Sequence, residues 1–321
     1  MDTLILENKW RMLQQQYSND YSSIRISKEC IPDLFLSYDR EKNRCLIFSL
    51  PKSDSVDFIA ETREYISIRY FDESKHIVIR LQEAKFNDVF NSFILSVYHR
   101  IKSIGHTETA VSEFLKVYHE WSEFFAESSS QLLSYNEVLG IVGELFFLKC
   151  LVTESPAHEI NELLNSWTGP YDQGHDFTFS SLDIEVKTKP VSKSHVQISS
   201  EFQLEAVFGK ELTLVVVSVL TNGEGTKTLA GFITEIKDMI IERLGQMTIF
   251  LKAIGRKGLT LMNLSAYDHY RFTIKKVVSY NCNAEGFPKL VASGIPKEIR
   301  QLHYSLLTEV LTDYITEQND Y

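Results

Sequence analysis

Residues 175–190, HDFTFSSLDIEVKTKP, read as a tight hairpin that sets acidic side chains against one another. With Ser180 and Ser181 as a two-residue turn, Phe179 faces Leu182, Thr178 faces Asp183, Phe177 faces Ile184 and Asp176 faces Glu185. Alternation then gathers Phe177, Phe179, Leu182, Ile184 and Val186 on one side, and Asp176, Thr178, Asp183, Glu185 and Lys187 on the other. Directly opposed residues have Cβ atoms about 4.5 to 5.5 Å apart, and like charges so placed destabilise the pair. A cation between the two carboxylates removes the conflict.

A divalent ion held by Asp176 and Glu185 beside Lys187 suits phosphodiester hydrolysis. The ion polarises a phosphoryl oxygen and acidifies a water, while the ammonium orients that water or offsets charge in the transition state. Oxygen ligands favour Mg2+, or Mn2+, over zinc. The plain alternative is a solvated strand face, since Glu-x-Lys also occurs at Glu7, Glu73, Glu83 and Glu235. None of those four faces an aspartate across a hairpin whose other side is apolar.

Glu144 adds a third acid. In a helix over NEVLGIVGELFFLKCLV, with Asn136 as its N-cap, the neighbours of Glu144 at three and four positions are Gly140, Ile141, Phe147 and Leu148. A carboxylate inside an apolar stripe is costly unless something partners it. It either snorkels out to water or reaches the metal or its water shell. Gly140 and Gly143, each unfavourable in a helix by about 1 kcal/mol relative to Ala, let the helix approach another backbone.

The rest of the chain supplies context. Its 321 residues, 44% hydrophobic and 24% charged, suit a globular protein of roughly two domains, with boundaries expected at 1–127 and 128–321. The first is expected to be β-rich with a helical connection. A helix over 5–17 precedes antiparallel strands at 33–39, 45–50, 65–71 and 76–81. Helical spacing follows in Phe86, Phe90, Phe93, Val97 and Ile101, then in Ala110, Phe114, Tyr118, Trp121 and Phe125. These aromatic stripes read as core, and ESSSQLLS at 127–134 as a linker.

Beyond the hairpin, HVQI reads as a strand and SEFQLEAVF as a helix with Ser200 and Gln203 in a capping box. LTLVVVSVL at 212–220 reads as a buried central strand, FITEIKDMIIERLG as a helix and YRFTIKKVVSYN as a strand. The segment from Ile295 fits helix and strand equally. Four scattered cysteines and no finger-spaced histidines suggest neither a disulfide framework nor a structural zinc site. A formal charge of -10 argues against a general nucleic-acid coat, though not against a local basic groove. No apolar run of membrane-spanning length occurs and the N-terminus lacks signal-peptide order, so a cytoplasmic location is expected.

A helix glutamate, an aspartate, E-x-K on a hairpin, then a strand and a helix together resemble the PD-(D/E)XK nuclease superfamily. GIVGELFFL, W.GP, HDF, IEVKT and ISS..QL are similar to a bacterial branch described only as PD-(D/E)XK motif proteins, which is associated with restriction and phage-defence gene clusters. By this resemblance Glu144 matches the first-helix acid, Asp176 the PD aspartate, and Glu185 with Lys187 the (D/E)XK element. His175 stands where the motif has proline. The motifs span about residues 130–220.

The resemblance implies a restriction-endonuclease-like αβββαβ core in an α+β or α/β chain, and metal-dependent cleavage of DNA as an endonuclease or nickase. A catalytically weak DNA-binding or scaffold subunit of a defence complex is the alternative, with defence proteins or a second copy as possible partners. Four further residues keep two readings. Lys189 and His195, with Lys193, contact phosphates or sit solvated at a strand edge. Gln203 is a capping partner or a functional glutamine. His175 holds the aspartate in place or does not. Trp167 reads as a loop anchor rather than a base-stacking platform.

Overall fold

The computed structural model describes residues 1–16, 22–53, 56, 60–122, 124–125, 132–171, 174–221, 225–296, 298–299 and 302–321. Two compact units divide the chain, Met1–Ser129 and Ser130–Tyr321. Residues 127–131 of the linker stretch lie outside the described residues.

In the first unit α1 (Thr3–Gln16) precedes an antiparallel sheet. Among the described residues its order is β1 (Ser23–Arg25), β2 (Asp33–Tyr38), β3 (Arg44–Ser49), β6 (His76–Leu81), β5 (Ile66–Phe71) and β4 (Glu61–Thr62). Alternation decides its buried face, with Leu34, Leu36, Ile77, Ile79 and Leu81 inward. The helices α2 (Asn87–Ile101) and α3 (Thr107–Ser122) supply the aromatic stripes, and Phe48 of the sheet stacks on Phe114 at 4.6 Å between centroids. Those stripes are core.

The second unit opens with α4 (Tyr135–Glu154), followed by a short α5 (Ile160–Ser166). A mixed sheet runs β7 (Phe177–Thr178), β8 (Leu182–Pro190), β10 (Glu211–Thr221), β11 (Phe272–Asn281) and β13 (Ile315–Asp320), with β10 at its centre. Helices α6 (Leu229–Glu242) and α7 (Met247–Arg256) lie between β10 and β11 in the chain. The order α4, β7, β8, β10, α6, β11 is an α+β arrangement of αβββαβ form. Strand β9 (His195–Ile198) is set aside to pair with β12 (Tyr304–Leu307).

Strand β8 has two different faces. Parallel pairing puts Glu185 beside Leu214 and Lys187 beside Val216, so this face turns toward the apolar cluster of Val196, Ile198, Leu204, Leu214 and Val216. Helix α4 packs on the other face, where an ideal Cβ on Gly143 would lie 1.8 Å from Thr188 Oγ1. Only glycine permits that approach. Gly140 has open space instead and lines a cleft, so the expected close contact there is not made.

Two further expectations are corrected. The N-cap of α4 is Ser134, not Asn136: Ser134 accepts the Glu137 amide at 3.4 Å and Glu137 accepts the Ser134 amide at 2.7 Å. A reciprocal pair satisfies two end amides where a lone asparagine satisfies one. Residues 200–208 form turns rather than a helix. There the Glu201 carbonyl accepts from Ala292 and the Glu201 carboxylate from Leu302, while Gln203 Oε1 accepts from Ser199. Distant partners take the polar groups a helix would use locally. The ambiguous tail resolves into strands β12 and β13 joined by short 3-10 turns.

All four cysteines are free and Cys30, Cys45 and Cys282 are buried. No described helix is long and apolar enough to cross a membrane. The glycines of α4 give opposite mutational signs. Gly140→Ala is expected to raise the melting temperature by about 2–4 °C, from about 1 kcal/mol of helix propensity. Gly143→Ala is expected to lower it by at least as much through overpacking against Thr188, and thermal denaturation of the two variants reads both.

Candidate active site

The site forms where β7 stops. Ladder pairing ends at Phe177 with Ile184, so Asp176 leaves the sheet instead of pairing with Glu185 as the hairpin register alone predicted. Its Oδ2 then accepts the Val186 amide at 2.8 Å, capping a β8 donor that β7 no longer reaches. The Asp176 carbonyl accepts the amides of Thr168 and Gly169 at 2.8 and 2.9 Å. Side chain and backbone are both pinned.

Gly169 fixes how close the helix acid comes. An ideal Cβ there would stand 2.7 Å from Asp176 Oδ1 and 3.1 Å from Glu144 Oε2, so the two carboxylates flank one methyl-sized space. Glu144 is buried at 7% exposure and held at both oxygens: Trp167 Nε1 donates to Oε2 at 2.8 Å and Lys257 Nζ to Oε1 at 3.1 Å. Trp167 is fully buried between the rings of Phe177 and Phe250, at 6.5 and 6.2 Å. It anchors a loop, as expected, and its indole N–H also positions the glutamate.

On β8, Glu185 is 2% exposed and its Oε1 lies 2.8 Å from Lys187 Nζ. Lys187 donates to Gln203 Oε1 at 3.0 Å. The strand face is therefore not a solvated one. Asp183, next on that face, belongs elsewhere: Lys210 lies 2.9 Å from it and His175 Nδ1 3.6 Å. His175 is thus brought to Asp183, away from the carboxylate of Asp176, and burial lowers its pKa.

Glu144, Asp176, Glu185, Lys187 and Gln203 line one cleft of about 1350 Å³, as do Lys189, Lys193 and His195. Arg256 and Lys257 line it too, so an acidic chain gathers five lysine and arginine side chains along one cleft. Sequence reasoning missed Lys257, which lies 113 residues from its partner Glu144. The signal available was RKG, a glycine placed to stop a helix directly after the lysine.

Burial and mutual repulsion work in the same direction on the acids. Desolvation, then the charge of Asp176, pushes Glu144 up to about 7. Desolvation, then Glu185, pushes Asp176 up to about 7. Burial raises Glu185 as well, against the pull of Lys187. Hard oxygen donors with too few cations among them fit a divalent ion such as Mg2+ in kind and charge. Among the described residues no three His, Cys, Asp or Glu side chains converge to hold an ion, and lysines pair with Glu144 and Glu185.

A stability signature follows. Carboxyls that ionise near 4 when unfolded and near 7 when folded give the folded state extra protons between those values. Their contribution is greatest below pH 4 and is lost as pH rises toward 7. The metal-free protein is expected to lose melting temperature between pH 5 and 7.5 more steeply than a Glu144→Gln, Asp176→Asn double variant. Added Ca2+ at pH 7.5 is expected to restore the intact protein alone, as differential scanning fluorimetry would show.

The sequence model of the family described as "Putative PD-(D/E)XK family member" (DUF4420) matches residues 6–308. No curated protein and no solved structure matches the chain.

Proposed function

The chain belongs to that PD-(D/E)XK family, and from this premise we propose that it is a Mg2+-dependent DNA endonuclease or nickase working in restriction or phage defence. One observation carries the reading: the buried Glu144 and Glu185 and the half-buried Asp176, all with raised pKa values, share one cleft with Lys187 and Lys257. Perturbed acids gathered in a cleft mark a reactive site more often than a structural one.

Asp176 and Glu185 are the residues that would hold the ion, with Glu144 reaching its water shell. When bound, the ion supplies charge to a phosphoryl oxygen and acidifies water. Lys187 has three donors, and Glu185 and Gln203 hold two, leaving the third for the attacking water or a phosphate oxygen. Gln203 fixes the lysine rather than capping a helix. Lys189, Lys193, His195 and Arg256 neutralise the DNA backbone along the cleft.

Residues 1–127 would serve recognition of DNA or of a defence partner, and 128–321 the nuclease. Cutting both strands with one such site calls for a second copy or a second binding event. A cytoplasmic location accords with this reading. A second reading, a silent DNA-binding or scaffold subunit, draws support from the lysines that already neutralise Glu144 and Glu185.

Supercoiled plasmid separates the two. With Mg2+ the intact protein is expected to nick or linearise it, Lys187→Ala to lose about 10²- to 10³-fold in rate, and Gln203→Ala about 10- to 100-fold. DNA binding without cleavage by the intact chain would favour the silent subunit, and equal rates in all three would remove Lys187 from the mechanism.

A further inference from the structure

Lys257 is placed by backbone geometry. It caps α7, whose end is closed by Leu259 N–H to the Ile254 carbonyl and Gly258 N–H to the Gly255 carbonyl, both 3.0 Å, with Gly258 at φ +79°. This double closure is the Schellman arrangement that a glycine permits. Asn263 Nδ2 donates to the Gly258 carbonyl at 2.9 Å and fixes the following turn. The ammonium thus arrives at Glu144 from a rigid helix end, where a cation also suits the helix dipole.

The same helix clamps Glu144 twice. Phe250 of α7 stacks on Trp167, which holds Oε2, while Lys257 holds Oε1. Both oxygens of Glu144 are engaged before any ion arrives. Asp176 and Glu185 are not clamped in this way: Asp176 has one oxygen on a backbone amide, and Glu185 has one oxygen on Lys187.

Charge counting then limits the occupancy. Once an ion displaces their protons, the three carboxylates face the ammonium groups of Lys187 and Lys257, a single negative charge in excess. One divalent ion converts that to a single positive charge, which a phosphodiester anion neutralises. A second divalent ion would leave three positive charges in a partly desolvated cleft, where repulsion is weakly screened.

We propose that Lys257 is a tethered cation standing in for a second metal ion, so that the cleft takes one divalent ion, on Asp176 and Glu185, with Glu144 as a positioning residue. This rests on the nuclease reading above. Lys257 then acts on the metal count through Glu144, and its charge matters more than its shape.

The test counts Mn2+ bound per full-length chain by electron paramagnetic resonance of the free ion. The intact protein and Lys257→Arg are expected to bind one ion. Lys257→Met is expected to bind two, and Lys257→Met with Glu144→Gln to return to one. Should Lys257→Met fail to fold, Lys257→Gln serves the same count. Two ions in the intact protein, or one in the neutral single variant, overturns the proposal and leaves the nuclease reading standing. No ion bound by any variant overturns both.

Discussion

Two buried carboxylates, Glu144 and Glu185, and the half-buried Asp176 sit here with fewer positive charges in contact than they need. Each carboxylate removed from water costs several kcal/mol unless hydrogen bonds and counter-charge offset it. The second unit supplies that compensation piece by piece: the Val186 amide for Asp176, Lys187 for Glu185, and Trp167 with Lys257 for Glu144. With all three ionised the compensation stops one charge short, which is the basis of the proposal that the cleft takes a hard cation.

The architecture creates this situation by ending one strand early. Strand β7 pairs with β8 only through Phe177 and Thr178, so the β8 edge opens at Glu185 just where Asp176 turns over it. Glu185 and Lys187 lie on one face of β8, while α4 presses on the other through Gly143. Helix acid, edge aspartate and strand pair meet around the rim of the sheet rather than on one flat face. Gly169 leaves the gap between them.

Much of this was legible. The hairpin register follows from apolar alternation, and the structure pairs Phe177 with Ile184 and Thr178 with Asp183 as the sequence predicts. The buried run of β10 and the helices α4 and α6 are equally plain. Short-range signals competed at Ser134, where Ser-x-x-Glu outweighs the nearby Asn136. Residues 200–208 have helical composition, yet tertiary hydrogen bonds to Ala292, Ser293 and Leu302 hold them as turns. The partner of Lys257 was hidden for a different reason: RKG marks a helix end, but only folding brings α7 to Glu144, 113 residues away, and no local periodicity encodes which acid its lysine will meet.

Gln203 shows the same principle in miniature. Sequence offered it as a capping partner or a functional glutamine, and the fold turned its amide oxygen onto Lys187. Diffraction from crystals soaked in Mn2+ tests the central claim most directly, because anomalous scattering locates the ion independently of refinement. A single peak about 2.1 Å from carboxylate oxygens of both Asp176 and Glu185 is the predicted result. Saturating Mn2+ that leaves those oxygens bare, with Glu185 still against Lys187, would contradict it.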